Sequence, residues 1–544
     1  MGLEWREPKY SAELTNGDEK MGVVKLIAQC CLLLILLGVY IVAKRATSPT
    51  TQLPGPFWTR FTTLFVTYHD ARSNRTLWTK ALHEHYGPLV RLSPKEVSIS
   101  SPASIRDVFT GSGRAGHCPK APIFNIFQHF GARNAFSSIG SEEHAWRRKI
   151  IASSYTRAAV LGKEAQHGHI WTNTGRFLAL VEREGLPTHG VPARDSKTVE
   201  TFSACRFFAA DNITAYLFVE GSHALAGDAR ARRAIETSAE RPSDVMTYTK
   251  MEFESLYMIV ELLLRCKHRR FRATPPGRAR LAKASGTKVN ATSTEWYGGT
   301  EIRDWGFRQY MGSRKAFEEG IISVSGDDPV STKLAANAIA GERSTGTSLL
   351  LGDDTGIRMV VHPSSNDEFH ARHSRFYRNE GCASECMDQL LAGLDTVGDT
   401  LSYILHLLSL EENVHVQASL RSECRSLALP STFEGPLPSD KLAAIQCALY
   451  LDAVVLETLR LFPASTTAFQ RSVPPLGRVL DGHFIPGGTI VGSSPVIINN
   501  NPAVFDGDAK FNVTRWLPER WLDTDAATVT EMNRRLWTFG SGPR

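Results

Sequence analysis

The chain has 544 residues and a mildly basic balance, with 62 Lys and Arg against 56 Asp and Glu for a formal net charge of +6. Hydrophobic residues make up 42% and charged residues 22%, proportions that exclude a disordered, collagen-like or disulfide-scaffold protein. So small a charge excess on so long a chain is weak support for nucleic-acid binding, and we expect no nucleic-acid partner. Nine scattered cysteines, an odd number, favour a reducing compartment.

An apolar stretch over 26–43 is predicted to be an uncleaved transmembrane helix. It reads LIAQCCLLLILLGVYIVA, with Gln29 as its only strongly polar residue, and Lys25 and Lys44 flank it. A cleaved signal peptide is the alternative, but its apolar part is usually shorter, about 7–15 residues, and no convincing cleavage site follows. Basic residues on the two sides are nearly balanced, so they do not fix the orientation of the span.

The rest of the chain is organised around this span. A tail over 1–25 precedes it, and a Pro-rich hinge over 44–57 connects it to a body over 58–544. Alternating apolar and polar residues over 86–100 predict a β-hairpin, after which Ser101 caps a short helix.

One long helix is predicted over 382–410, because apolar residues recur there at three- and four-residue steps and form a buried face. A second face of this helix carries Ala392, Thr396, Asp399 and Tyr403. Cys382 and Cys386 also lie on it. Since no further ligand of suitable spacing is near, we interpret them as buried helix residues and not as a zinc site.

Two stretches fit a compact domain poorly. Residues 265–283 carry eight basic side chains and no acid, but they have no aromatic ladder for nucleic acid. We interpret them as a solvated loop that faces anionic lipid. Residues 357–380 follow neither the helical nor the strand period and are interpreted as a surface segment or an unspliced insertion.

Several motifs follow in a fixed order towards the end of the chain. Glu457 and Arg460 are three residues apart, so they share a helix face and can pair. Alone, this spacing is common and indicates a surface ion pair. Arg471 then precedes two prolines, and 481–490 reads as turns and short strands. Further motifs follow in Pro518-Glu519-Arg520-Trp521 and in Phe539-Gly540-Ser541-Gly542-Pro543-Arg544.

In order and spacing, these motifs resemble those of the cytochrome P-450 family of haem-thiolate monooxygenases, above all the microsomal enzymes of fungal secondary metabolism. The resemblance runs from about residue 54 to the end and is poor over 240–380. It implies a mainly α fold with a small β lobe, the cytochrome P-450 fold, preceded here by one N-terminal transmembrane helix.

The resemblance also implies roles for individual residues. Glu457, Arg460 and Arg520 look like the family's buried scaffold cluster. Ala392 and Gly393 are similar to its oxygen-binding groove, and Asp395 and Thr396 to the catalytic pair that positions water and delivers protons. Contacts to the haem propionates are implied for His144, Arg148, Arg471 and Arg544, although Arg147 and Lys149 compete with Arg148 for this role. Phe539 and Gly542 belong to the haem loop.

The family's axial cysteine would be the second residue beyond Arg544, and none of the nine cysteines stands in a matching context. No metal ligand is therefore assigned within the chain. We expect that the sequence is truncated and that the polypeptide as written is inactive, because a thiolate favours O–O cleavage. A non-catalytic remnant that keeps only the fold or a binding role is the alternative.

The resemblance implies haem b with its iron as cofactor, and O₂ and NADPH as co-substrates. The electrons of NADPH would arrive through a separate NADPH-cytochrome reductase, and the substrate would be a lipophilic small molecule. A single-pass protein in the membrane lipid of the endoplasmic reticulum, with a cytosolic catalytic domain, is expected. A secreted glycoprotein is a further alternative, based on sequons at Asn74, Asn212, Asn290 and Asn512.

Overall fold

The structure is a computed structural model that describes residues 49–111, 117–184, 200–239, 300–319, 329–336, 379–506 and 510–542, with isolated positions between 28 and 43. Helices dominate these ranges and short strands form two small sheets. This is the mainly α architecture with a small β lobe that the resemblance implies.

The helices are, in chain order, α1 Leu64–Ala71, α2 Arg75–Tyr86, α3 Pro102–Thr110, α4 Ser141–Ile151, α5 Arg157–His167, α6 His169–Glu184, α7 Thr201–Leu217, α8 Ala229–Ala239, α9 Thr300–Glu318, α10 Asn379–Ser409, α11 Val414–Ser426, α12 Ser439–Gln446, α13 Leu449–Leu461, α14 Pro495–Ile498, α15 Pro502–Phe505 and α16 Ala526–Arg535. A further short helical segment covers 330–336. Single 3-10 turns include Pro49–Gln52, Phe57–Arg60, Pro122–Phe127, Ala152–Tyr155, Glu411–Asn413 and Pro518–Trp521.

The strands are β1 Leu89–Ser93, β2 Glu96–Ile99, β3 Arg471–Ser472, β4 Arg478–Leu480, β5 His483–Ile485 and β6 Ile490–Gly492. The larger sheet has the order β1-β2-β6-β3, and β4 pairs with β5 in a separate hairpin. β1 and β2 are antiparallel, with Leu89 opposite Ile99, so the predicted hairpin is confirmed. The Ser101 side chain accepts a hydrogen bond from the Ser104 N–H, as predicted for a cap of α3.

The main core surrounds α10, which packs against α7 and α9. Cys382 and Cys386 lie buried in this core. The helix begins at Asn379, so the last two residues of the irregular stretch 357–380 are helical; the rest of that stretch lies outside the described residues, as does the basic stretch 265–283.

The predicted span over 26–43 falls mostly outside the described residues. Within the described ranges, no single helix is long and apolar enough to cross a membrane. Only α12 and α13 taken together satisfy that length and composition, and they are bent by 55° at their junction.

Arg91 fastens the C-terminal part of the Pro-rich hinge to the sheet. Its side chain is fully buried on β1, and its guanidinium donates hydrogen bonds to five backbone carbonyls of the hinge. These carbonyls belong to Thr50, Thr51, Leu53, Gly55 and Pro56. Burial, and secondly the charge of Arg60, lowers the pKa of Arg91 to about 10, so it remains charged at neutral pH.

The substitution Arg91→Leu is expected to lower the free energy of unfolding by about 3 kcal/mol, because it leaves buried carbonyls without donors. Urea denaturation measures the loss, and limited proteolysis should cut first within 49–57. The exposed Arg230→Leu on α8 is the control and should change stability by less than about 0.5 kcal/mol. Equal stability of the two variants would contradict this role of Arg91.

Candidate functional site

Glu457 lies at the centre of a fully buried charge cluster. Nε and Nη2 of Arg460, on the next turn of α13, each donate to its carboxylate at 2.8 Å. Arg520 Nε approaches both oxygens at 3.3 Å, and the Leu517 N–H and Trp521 Nε1 donate at 3.0 Å. These charge-assisted hydrogen bonds compensate the carboxylate for the loss of water.

The remaining donors of the two arginines hold irregular backbone. Arg460 Nη1 donates to the carbonyls of Asn499 at 3.1 Å and Val513 at 2.9 Å, and Arg520 Nη2 donates to Asn512 O at 2.9 Å. Burial lowers the pKa of Arg520, and the Glu457 carboxylate opposes that shift. The cluster therefore acts as one unit that joins α13 to the loops around α14 and α15.

Asn499 carries this connection to the predicted haem loop. Its side chain accepts a hydrogen bond from the Trp537 N–H at 2.8 Å and donates to Thr538 Oγ1 at 3.0 Å. Thr538 Oγ1 in turn donates to the carbonyl of Leu459 on α13 at 2.8 Å. The backbone just before Phe539 is thus fixed to the helix that bears Glu457.

The loop that follows is built on glycine geometry. Gly542 has φ +88°, and a Cβ at this position would lie 2.0 Å from the carbonyl oxygen of Phe109, so only glycine fits. The Phe539 side chain is 83% exposed, which is unusual for a large aromatic residue. Arg544 lies outside the described residues.

Arg471 is buried beside this loop, on β3. Its Nη1 donates to the carbonyl of Gln470 at 3.0 Å, and its Cζ lies 4.9 Å from the ring centroid of Phe109 and 5.8 Å from that of Phe124. Aromatic faces and a backbone carbonyl thus stabilise a positive charge here, next to the phenylalanine that Gly542 contacts.

On α4, the residues predicted to contact the haem propionates differ in burial. His144 is buried, and Arg148, one turn further, is exposed. Arg147 is buried and donates to Glu143 Oε1 at 3.0 Å and to the carbonyl of Arg133 at 2.7 Å. Arg147 therefore has a scaffold function, and the predicted roles of His144 and Arg148 stay predictions.

The stretch around Thr396 has an open face and a packed face. Ala392 and Thr396 are exposed although α10 is the central core helix. The Thr396 hydroxyl donates to the carbonyl of Ala392 at 2.7 Å, one turn earlier in its own helix. On the packed face, a Cβ on Gly393 would lie 2.6 Å from Ile213 Cγ1 on α7. The close packing of α10 against α7 thus explains why residue 393 is a glycine. The part of Gly393 in an oxygen groove stays a prediction.

Asp395 forms an ion pair with Arg206 of α7, with Nη1 and Oδ1 2.8 Å apart. Arg206 is buried, and its Nη2 donates to Ser238 Oγ of α8 at 2.8 Å. Both members of the pair line a cavity of about 450 Å³ between α7, α8 and α10. The carboxylate beside Thr396 is therefore held in place by a neighbouring helix.

The described residues fit one side of a haem group. The exposed surface of α10 is small and apolar at Ala392, as a flat ring requires, and Arg471 is a buried cation of the kind that can pair with a propionate. None of the described cysteines stands in the sequence context of the axial ligand that the resemblance implies. Burial raises the pKa of five of them, Cys118, Cys205, Cys382, Cys386 and Cys424. Cys424 and Cys447 are exposed.

Two residues of this site, Arg206 and Asn499, were missed by the sequence analysis. Arg206 had a signal, since it is a single cation in the otherwise apolar run CRFFAA. Asn499 had no such signal in the sequence, because its hydrogen-bond partners are distant in the chain.

The comparisons with known proteins agree with this geometry. The model of the cytochrome P-450 family matches residues 365–544. The cytochrome P-450 monooxygenase FGM1 of Gibberella zeae is 24% identical over 517 residues, which are 94% of this chain and 85% of that protein. The monooxygenase cypX of Dothistroma septosporum is 23% identical over 537 residues, or 98% and 87%. The monooxygenase mfmA of Annulohypoxylon moriforme is 35% identical over 155 residues, 28% of each chain.

The helical fold, the buried charge cluster and these matches define the class of protein as a haem-dependent monooxygenase. Residues 365–544 match the cytochrome P-450 family, and nearly the whole chain is similar to fungal monooxygenases of that family.

The substitution Glu457→Gln is expected to lower the free energy of unfolding by about 3–5 kcal/mol, because it leaves two buried guanidiniums without their anion. Urea denaturation measures this loss. The matched control is Glu531→Gln on α16, where the ion pairs with Arg534 and Arg535 are exposed and the cost should stay below about 1 kcal/mol. Similar losses in both variants would show that burial does not determine how much the cluster contributes to stability.

Proposed function

We propose that this protein is a membrane-bound monooxygenase that inserts one oxygen atom of O₂ into a lipophilic small molecule. The reaction consumes the substrate, O₂, NADPH and a proton, and yields the hydroxylated product, water and NADP⁺. We place it in a fungal secondary-metabolite pathway with a terpenoid, polyketide or alkaloid substrate. This assignment is supported by the fungal monooxygenases that the chain resembles.

The observation that carries the proposal is the open face of α10 at Ala392 and Thr396, next to the fixed pair of Asp395 and Arg206. When bound, haem supplies the activation of O₂ by its iron. His144, Arg148, Arg471 and Arg544 are the residues that we propose to hold its propionates. The electrons come from NADPH through a separate NADPH-cytochrome reductase.

The residues of α10 then position water, transfer protons and exclude solvent from the substrate. The Thr396 hydroxyl donates its one proton to Ala392 O, so the lone pairs of Oγ1 accept a hydrogen bond from a water molecule and hold it beside the reacting oxygen. The Asp395 carboxylate accepts a proton from solvent on the cavity side and passes it to this water molecule, and Arg206 keeps the carboxylate in position. The apolar surface around Ala392 excludes water from the substrate.

A non-catalytic remnant is the second candidate. It is favoured by the described cysteines, none of which stands in the sequence context of the family's axial ligand. The haem content of the protein isolated from its own source distinguishes the two. About one haem per chain supports the enzyme, and its absence supports the remnant.

The substitution Thr396→Ala is expected to lower the product formed per NADPH consumed by about tenfold or more, because it removes the hydroxyl that holds the proton-delivering water molecule. The measurement uses holoenzyme with an NADPH-cytochrome reductase and 7-ethoxycoumarin as probe. Thr400→Ala is the matched control, since Thr400 Oγ1 also donates to a helix carbonyl one turn back, at 2.8 Å. An equal loss in both variants, or no loss in the first, would contradict the role of Thr396.

Membrane attachment through 26–43 is part of the proposal, and a surface on the described body supports it. Five large apolar or aromatic side chains, at the last residue of the hinge and after it, are more than half exposed. They are Phe57, Trp58, Leu64, Tyr68 and Leu77. A patch of this kind suits the interface of a lipid bilayer. We place the body on the cytosolic face of the endoplasmic reticulum.

The secreted glycoprotein is disfavoured at one of its sequons. Asn212 lies half-buried within α7, where its Nδ2 donates to Phe208 O at 2.9 Å and its Oδ1 accepts from Asn173 at 3.0 Å. A sugar chain on this amide would require the helix packing to open.

Replacing both Leu34 and Leu37 by Arg is expected to release the protein from membranes into a carbonate wash, because each arginine at the helix centre costs about 2.5–3.5 kcal/mol. The Leu34→Ile, Leu37→Ile double variant should stay in the membrane pellet. Release of the wild-type chain would contradict the anchor. A gel shift on endoglycosidase treatment would contradict the cytosolic placement.

A further inference from the structure

The cavity beside Asp395 continues along α10 towards the C-terminal end of the helix. Its polar wall on this helix is formed by Asp395, Asp399, Ser402 and His406. Steps of four, three and four residues place these side chains on one stripe of the helix. The stripe begins next to Thr396 and extends for about 16 Å along the helix axis.

The two ends of this stripe differ in exposure. The Asp395 side chain is 21% exposed and is held by its ion pair with the buried Arg206. His406, at the other end, is exposed. Because both residues line the same cavity, the cavity connects solvent at His406 with the carboxylate next to Thr396.

The cavity is large and polar enough to hold water. A volume of about 450 Å³ accommodates many water molecules, since each occupies about 30 Å³ in the liquid. Ser402 Oγ, in the middle of the stripe, donates to Gly398 O at 2.8 Å, so its lone pairs can accept a hydrogen bond from water. Water can therefore bridge the gap of about 10 Å along the helix between Asp399 and His406.

The other described walls of the cavity bring one fixed charge. α7 contributes Arg206, which pairs with Asp395, and α8 contributes the uncharged Ser238 and Ala239. Tyr403 of α10 also lines the cavity, but a phenol ordinarily loses its proton only near pH 10. The groups suited to carry protons at neutral pH are therefore the two carboxylates and the histidine of the stripe.

We propose that this cavity is the proton-uptake path of the protein, with His406 as its entry and Asp399 as an intermediate carrier. This inference rests on the proposed monooxygenase function. His406 releases a proton to the cavity water and takes another from solvent. The proton passes through water to Asp399 and on to Asp395, which hands it to the water held by Thr396. No electron moves along the path, and one solvent proton enters for each proton delivered. Asp399 and His406 act through Asp395, so they are positioning residues.

The variant His406→Gln tests the entry, and His415→Gln, which changes a histidine of α11 that is 59% exposed, is its matched control. The measurement is the product formed per NADPH consumed by the holoenzyme, with a reductase and 7-ethoxycoumarin. A histidine loses its charge between about pH 5 and pH 8, so we expect a loss of about threefold in His406→Gln at about pH 6 and a smaller loss at about pH 8. His415→Gln should match the wild type at both pH values.

The variant Asp399→Asn tests the intermediate carrier and should lower the product per NADPH by about fivefold. Asp399→Glu keeps a carboxyl group and should stay within about twofold of the wild type. Asp440→Asn, on the exposed surface of α12, is the control and should have no effect.

A second oxygen donor separates proton transfer from packing. Iodosylbenzene gives its oxygen atom to the substrate and leaves as iodobenzene, so this reaction takes up neither protons nor electrons. All variants should therefore form as much product from iodosylbenzene as the wild type does. In a crystal structure of the holoenzyme, we expect ordered water within hydrogen-bond distance of Asp395 and Asp399.

Equal yields per NADPH in the two histidine variants would overturn the path. A loss with iodosylbenzene as large as the loss with NADPH, or a cavity without water, would also overturn it. If the wild type forms no product from iodosylbenzene, the monooxygenase function itself fails. If it does form that product but Asp399→Asn keeps the wild-type yield per NADPH, only the path fails.

Discussion

The burial of one carboxylate, that of Glu457, is the constraint on which much of the structure around the site depends. A charge in the interior is tolerated only when donors surround it, and here two guanidiniums, an indole and a backbone N–H do so. The same guanidiniums then hold carbonyls of loops that have no regular hydrogen-bond ladder. Through Asn499, this order extends to Trp537 and Thr538, where the predicted haem loop begins.

A second constraint is the close approach of α7 and α10. Gly393 has no room for a side chain beside Ile213, and a Cβ on Gly398 would lie 3.0 Å from Arg206 Cγ. Close packing on one side leaves the other side of α10 free to form the wall of a site. It also brings the Arg206 guanidinium within 2.8 Å of Asp395, so the packing and the candidate chemistry have a common origin.

Features that depend on residues close together in the sequence could be predicted, and features that depend on contacts between distant residues could not. The hairpin of β1 and β2, the Ser101 cap and the long helix α10 depend on neighbours within a few residues, and they were predicted correctly. The pairing of Glu457 with Arg460 is likewise local. The hydrogen bonds of Arg91 to the hinge and those of Asn499 join residues 35 or more positions apart. No local sequence pattern predicts such bonds.

The central claim is that the protein is a haem-dependent monooxygenase. The most direct test is the carbon monoxide difference spectrum of the dithionite-reduced protein, isolated from its own source and assayed for haem. We predict about one haem per chain and the long-wavelength Soret band of a thiolate-ligated iron. A protein without haem, or one with the band of a nitrogen-ligated haem, would contradict the account.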